Sequence, residues 1–138
     1  MNWTIIPASW SGPLLSILRI VAALMFIAHG TQKYFHVPPN PRGTPEILSM
    51  PGIAGAFELF FGTLILIGLA TRVSAFLMSG MMAVAYWMVH APQSFYPSAN
   101  GGEPAIFFCF VFLYIAAAGP GPWSLDGAAR PRATGEQA

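Results

Sequence analysis

His29, Gln32, Lys33, Glu58, His90 and Glu103 carry this chain's acid–base and hydrogen-bonding chemistry, and all lie toward one end of four apolar segments. The first segment holds His29, Gln32 and Lys33 near its C-terminal end, and the second holds Glu58 in its first third. The third ends on His90, and the fourth follows directly on Glu103. If each segment crosses a bilayer, alternate segments run in opposite directions, and these side chains gather toward one membrane face. An ionisable group in hydrocarbon costs about 3 kcal/mol on insertion scales and commonly marks function. His29 and Glu58 share a depth of roughly 10 Å from that face, at the helical rise per residue. A His–Glu pair there holds or passes a proton, or hydrogen-bonds the two oxygens of a quinone-like ring. Tyr86, Trp87 and Phe107 would pack on the faces of that ring. The structural alternative is a pair that fixes helix register, with Lys33 reaching to the headgroups. Gln32, Tyr86, His90 and Glu103 form the rim of such a site or simply line the interface. No His, Cys or carboxylate spacing matches a metal motif.

The segments that position these residues are read over 14–35, 51–70, 73–91 and 104–118. Of 138 residues, 55% are hydrophobic and only 8% charged, with mean hydropathy +0.59. A soluble domain carries about 25% charged residues, so the composition points to an integral membrane protein, all-α, with an antiparallel four-helix bundle as its single domain. A net charge of +1 supplies no basic patch, which argues against nucleic acid as a partner. No Lys or Arg precedes the first apolar run, so that run reads as a retained helix rather than a cleaved signal. The single cysteine, Cys109, excludes an intramolecular disulfide relay.

Trp3 and Trp10 in the lead-in suit the headgroup layer. Prolines 38, 39, 41 and 45 predict an extended first loop over 36–50. The connection near 70–72 is short enough to make a tight hairpin, and 92–102 lies at the interface with Phe95 and Tyr96. Beyond Gly127 the polar tail is expected to be mobile. An even number of spans puts both termini on the side of Arg72, Arg130 and Arg132, against Lys33 and Arg42 opposite. That excess predicts cytoplasmic termini.

Arg19, Ala22, Phe26, His29 and Lys33 fall on one stripe of the first helix. Gly55, Glu58 and Gly62 share a stripe of the second, where the glycines admit another backbone. Ala83, Tyr86 and His90 align on the third, and Glu103, Phe107, Phe110 and Tyr114 on the fourth. Arg19, Arg72 and Asp126 gather at the opposite end and read as a structural charge clamp. Thr71 is the expected cap of the third helix.

Arg19 with Phe26-x-x-His29-Gly30-x-x-Lys33 resembles the first helix of the DoxX family. Glu58-x-x-x-Gly62 and Gly68-Leu69-x-Thr71-Arg72 are similar to its second helix and hairpin. Gly119-Pro120-Gly121-Pro122-Trp123-Ser124-Leu125-Asp126 resembles its closing signature. The resemblance implies a small four-helix protein of the bacterial inner membrane, linked to quinone, catechol or oxidative-stress metabolism. The family takes its name from the membrane subunit of a thiosulfate–quinone oxidoreductase. The long Pro-rich first loop departs from that pattern. No dinucleotide glycine fingerprint is present, so redox chemistry would come from a partner or from the quinone itself, with no intrinsic cofactor.

Three functions compete. The first is a quinone-interacting membrane subunit of an oxidoreductase, with His29, Lys33 and Glu58 at its ligand or proton site. The second is a non-catalytic partner or assembly factor for another membrane or redox protein, or for a further copy of the chain. The third is a path for protons or a small solute.

Overall fold

A computed structural model describes residues 5–129, all helical or irregular and without a strand. After a short turn of 3-10 helix at Ala8–Trp10, α1 runs over Ser11–Phe35 and α2 over Met50–Ile67. Next, α3 covers Thr71–Ala85 and continues into a π-helical turn, Tyr86–His90. A single turn, α4 at Pro97–Asn100, precedes α5 at Glu103–Ala118, and α6 at Leu125–Ala128 follows.

Local chemistry sets these limits. Ser49 starts α2 by accepting the Gly52 N–H at 3.3 Å, and Pro51 sits in the first turn, where its missing N–H costs nothing. Gly68, at φ +72°, ends α2 three residues before the limit expected at 70. The N–H groups of Gly68 and Leu69 turn back to the Ile65 and Leu64 carbonyls, and that reversal needs a residue free to adopt the left-handed region. Thr71 is not the cap of α3. Its hydroxyl is buried with no hydrogen-bond partner among the described residues. The Asp126 carboxylate takes the cap's place, accepting the Ala70 and Thr71 N–H groups at 2.9 and 2.8 Å. Gly127 and Ala128 belong to α6, which Ser124 caps. Trp3 and the tail from 130 onward lie outside the described residues.

The long helices associate as two close pairs, α1 with α2 and α3 with α5; α2 meets α3, and α1 touches α5 only sparsely. Glycines set the α1–α2 approach. A Cβ on Gly30 would stand 2.7 Å from Leu59 Cγ, and one on Gly62 2.7 Å from Ile27 Cγ1. Larger residues would push the helices apart. The interior combines an apolar core with buried polar side chains, and the exterior is apolar. Ser16, Arg19, Glu58, Ser74 and Ser79 are buried, while Val21, Met25, Phe60, Phe76, Phe107 and Phe110 face outward. Such an apolar exterior is what a lipid surround requires. Three stretches, Ala8–Phe35, Met50–Ile67 and Thr71–His90, are long and apolar enough to cross a membrane, and α5 is an apolar helix of 16 residues.

Arg19 is completely buried where these elements meet. Its guanidinium donates to the carbonyls of Ile65 (2.6 Å) and Leu66 (2.5 Å) at the end of α2. It also donates to Pro120 (2.8 Å) and to Trp123 in the loop after α5. Ser16, one turn earlier, accepts the Trp123 N–H at 3.1 Å. Arg72 likewise donates to the last α5 carbonyls, Ala116 and Ala117, at 2.8 and 2.5 Å. Arg19, Arg72 and Asp126 thus gather at one end, as expected, but the bonds seen there run to backbone: each side chain satisfies the terminus of a helix other than its own.

Replacing Arg19 by Leu takes the guanidinium donor from the Leu66, Pro120 and Trp123 carbonyls and leaves Ile65 only the Gly68 N–H. Thermal unfolding of the purified chain in detergent is expected to register a loss of about 3 kcal/mol or more. An unchanged Tm contradicts this role.

Candidate functional site

At the opposite end, the Glu58 carboxylate on α2 points into the helix assembly with its side chain only 5% exposed. Lys33 reaches it from α1, Nζ to Oε1 at 2.6 Å. Gly55 makes room for that reach, since a Cβ there would stand 3.0 Å from Lys33 Cδ and 2.9 Å from the Tyr34 ring. Tyr34 fastens the same corner by donating its hydroxyl to the Gly52 carbonyl at 2.6 Å. The second carboxylate oxygen, Oε2, is buried and has no hydrogen-bond partner among the described residues.

His29 does not pair with Glu58. Its ring lies edge-on to Phe108 of α5, centroids 5.9 Å apart, and is exposed at the sparse α1–α5 boundary. Lys33 lies one turn beyond His29 and roughly 40° further round the helix, which brings the lysine, not the imidazole, over α2. The ring nitrogens of His29 make no hydrogen bond among the described residues. The residues are therefore a buried ion pair between α1 and α2 with one unbonded carboxylate oxygen, and apart from it an exposed imidazole against Phe108 of α5.

That wall differs from the one anticipated. Trp87 and Phe107 are each 71% exposed and turn away from Glu58. The inward face of α5 is Ala105, Phe108, Phe112 and Ile115. Phe26 meets Phe108 and Phe112 at 5.4 and 4.9 Å, closing the interior just below His29. The residues missed from sequence are Tyr34 and Phe108. The spacing 105, 108, 112, 115 carried a signal for Phe108, but α5 is apolar on every side, so no stripe stood out.

The rim residues form a second group. His90 Nδ1 is 2.9 Å from the Asn100 carbonyl, and its ring stacks on Tyr86 across the π-helical turn at 6.5 Å. A π turn of this kind inserts one residue into the helix and shifts the faces that follow. Asn100 is buried, donates to Ser94 and accepts from Gly102. Gly102 lies so close to Tyr86 that a Cβ would stand 2.6 Å from its ring. Glu103 is exposed in the first turn of α5. Gln32 donates to the Pro39 carbonyl at 3.3 Å and tethers the Pro-rich loop to α1. None of these joins the Lys33–Glu58 pair through a hydrogen bond. No three His, Cys, Asp or Glu side chains gather into a metal-holding group among the described residues.

A family model described as DoxX matches residues 14–91. The matched stretch contains Arg19, His29, Lys33, Glu58 and Arg72 but stops before α5. An uncharacterized protein of Haemophilus influenzae is 40% identical over 117 residues, covering 81% of this chain and 87% of its own length. An uncharacterized membrane protein of Mycobacterium tuberculosis is 28% identical over 138 residues, 88% and 85% of the two chains. A second uncharacterized Haemophilus influenzae protein is 28% identical over 128 residues, 84% and 83%. No solved structure matches the chain.

Removing Lys33 alone should harm more than removing the pair. Lys33→Met leaves a carboxylate buried without its counter-charge, an expected loss of about 3–5 kcal/mol. Adding Glu58→Leu should restore most of it in detergent unfolding. A double variant as unstable as the sum of the singles contradicts the pairing.

Proposed function

The chain belongs to the DoxX family, and from that premise we propose that it is a quinone-interacting membrane subunit whose ligand meets Glu58, Lys33 and His29. In this reading α1, α2, α3 and α5 all cross the bilayer as an antiparallel bundle. At 16 residues, α5 extends roughly 24 Å. The hydrocarbon core is about 30 Å thick, so the bilayer thins around α5. The chain lies in a bacterial inner membrane with its termini on the cytoplasmic side, following the excess of Arg72, Arg130 and Arg132. Glu58 then sits in the outer half.

The observation that carries this reading is Glu58 Oε2, a buried oxygen with no hydrogen-bond partner among the described residues, on a carboxylate whose other oxygen Lys33 holds. A buried polar atom without a hydrogen bond costs about 1–3 kcal/mol, a cost that a ligand donating to Oε2 would remove. A hydroquinone hydroxyl donates to that oxygen. The N–H groups of Lys33 and His29 donate to quinone carbonyls, and the ring rests against Phe108. His29 is exposed at the edge of α1 beside Phe108, and in this reading a ligand dissolved in lipid enters from that side. Electrons then pass to or from a partner redox protein, since the chain has no dinucleotide fingerprint of its own.

A second reading, a non-catalytic partner for another membrane protein or for a further copy, draws on the first loop. Val37, Ile47 and Leu48 are 65, 70 and 83% exposed there. Crosslinking in native membranes that recovers no protein removes it. A permeation path fits least well, because Phe26, Phe108 and Phe112 fill the interior between Arg19 and Lys33.

Purified chain titrated with decyl-ubiquinone is expected to bind it, and Glu58→Gln to weaken binding about tenfold, or 1.4 kcal/mol. Absence of binding, or equal affinity in the variant, overturns the proposal.

A further inference from the structure

A shallow apolar groove runs between α3 and α5 at the end away from Glu58. Val73, Phe76 and Leu77 form one wall and Leu113, Ala116 and Ala117 the other, with Arg72 at its mouth. Val73 and Phe76 are 64 and 63% exposed, so the groove opens outward. The alanines facing the larger α3 side chains make it concave.

Arg72 is exposed but not loose. One terminal nitrogen, Nη1, donates to Ala116 and Ala117, and Nη2 contacts the Ala118 carbonyl at 3.4 Å. These bonds engage the Nη1 edge and orient the guanidinium plane, leaving the Nε–Nη2 edge for another acceptor. Arginine edges of this kind bind phosphate through two parallel hydrogen bonds. Gly119 lets the chain lie against the guanidinium face: a Cβ there would stand 3.0 Å from Nη2 and 3.4 Å from Cζ. The nearby carboxylate of Asp126 is turned to the Ala70 and Thr71 N–H groups.

We propose that this groove is a binding site for one anionic phospholipid, its phosphate on Arg72 and an acyl chain along α3 and α5. The charge at the mouth and the apolar channel behind it complement the two halves of such a lipid. The inference rests on the bundle crossing the bilayer and is independent of the quinone site.

The full chain, stripped of lipid and incubated in micelles with equal phosphatidylglycerol and phosphatidylcholine, is read by native mass spectrometry. Wild type should retain one phosphatidylglycerol in preference, and Arg72→Gln should lower that retention about fivefold, or 1 kcal/mol. Because Arg72 also holds the end of α5, Ala117→Phe supplies the second test. It fills the groove, leaves the Arg72 bonds to main-chain carbonyls in place, and should reduce retention without lowering Tm. Equal retention of the two lipids by wild type overturns the proposal. So does undiminished retention in Ala117→Phe, or displacement of the lipid by inorganic phosphate. Decyl-ubiquinone binding is expected to persist in Ala117→Phe, which separates failure here from failure of the quinone reading.

Discussion

A guanidinium buried among apolar helices must find a partner for its N–H groups inside the protein, and Arg19 does so with backbone carbonyls from two distant parts of the chain. Hydrocarbon offers no water as a fallback, so this one side chain constrains its surroundings. The carbonyls of Ile65 and Leu66 must lie exposed at the end of α2, so Gly68 turns the chain there. Residues 119–123 must pass beside α1, so Gly121 packs where a side chain would meet the Ser16 backbone. That path brings Asp126 to the open N-terminus of α3. One end of the assembly is thereby closed by bonds to backbone, and the helix order follows from them.

The other end is solved less completely, and function is proposed there. Lys33 neutralises Glu58 but satisfies only one of its oxygens. His29 stands one turn away at the boundary of α1 and α5, exposed and edge-on to Phe108. At the Arg19 end most donors are spent on helix termini; at the other end a carboxylate oxygen retains hydrogen-bonding capacity. The aromatic layer of Phe26, Phe108 and Phe112 separates the two. A site of this form suits a ligand that is apolar enough to travel in lipid and carries oxygens at its edge.

Much of this was legible in the sequence because hydrocarbon allows few arrangements. The four apolar segments, the short hairpin near 70 and the glycines of the α1–α2 contact follow from length, composition and spacing. Long-range partners do not. Arg19 lies 101 residues from Pro120, and no local pattern says that its donors go to carbonyls. Thr71 looked like a cap because Thr often is one, yet Asp126 offers a charged acceptor from another element and wins. His29 and Glu58 were matched by depth alone, and rotation about α1 assigns Glu58 to Lys33 instead. Phe107 was preferred to Phe108 because a uniformly apolar helix shows no inward face until its neighbours are known.

The central claim is that Glu58 meets the ligand directly through an oxygen that no other group among the described residues occupies. Infrared difference spectroscopy of the purified chain, with and without decyl-ubiquinone, reads that carboxylate. The account predicts a ligand-induced change in a carboxylate band in the wild type and its absence in Glu58→Gln. A silent carboxylate region at full binding, or the same band in the variant, would contradict it.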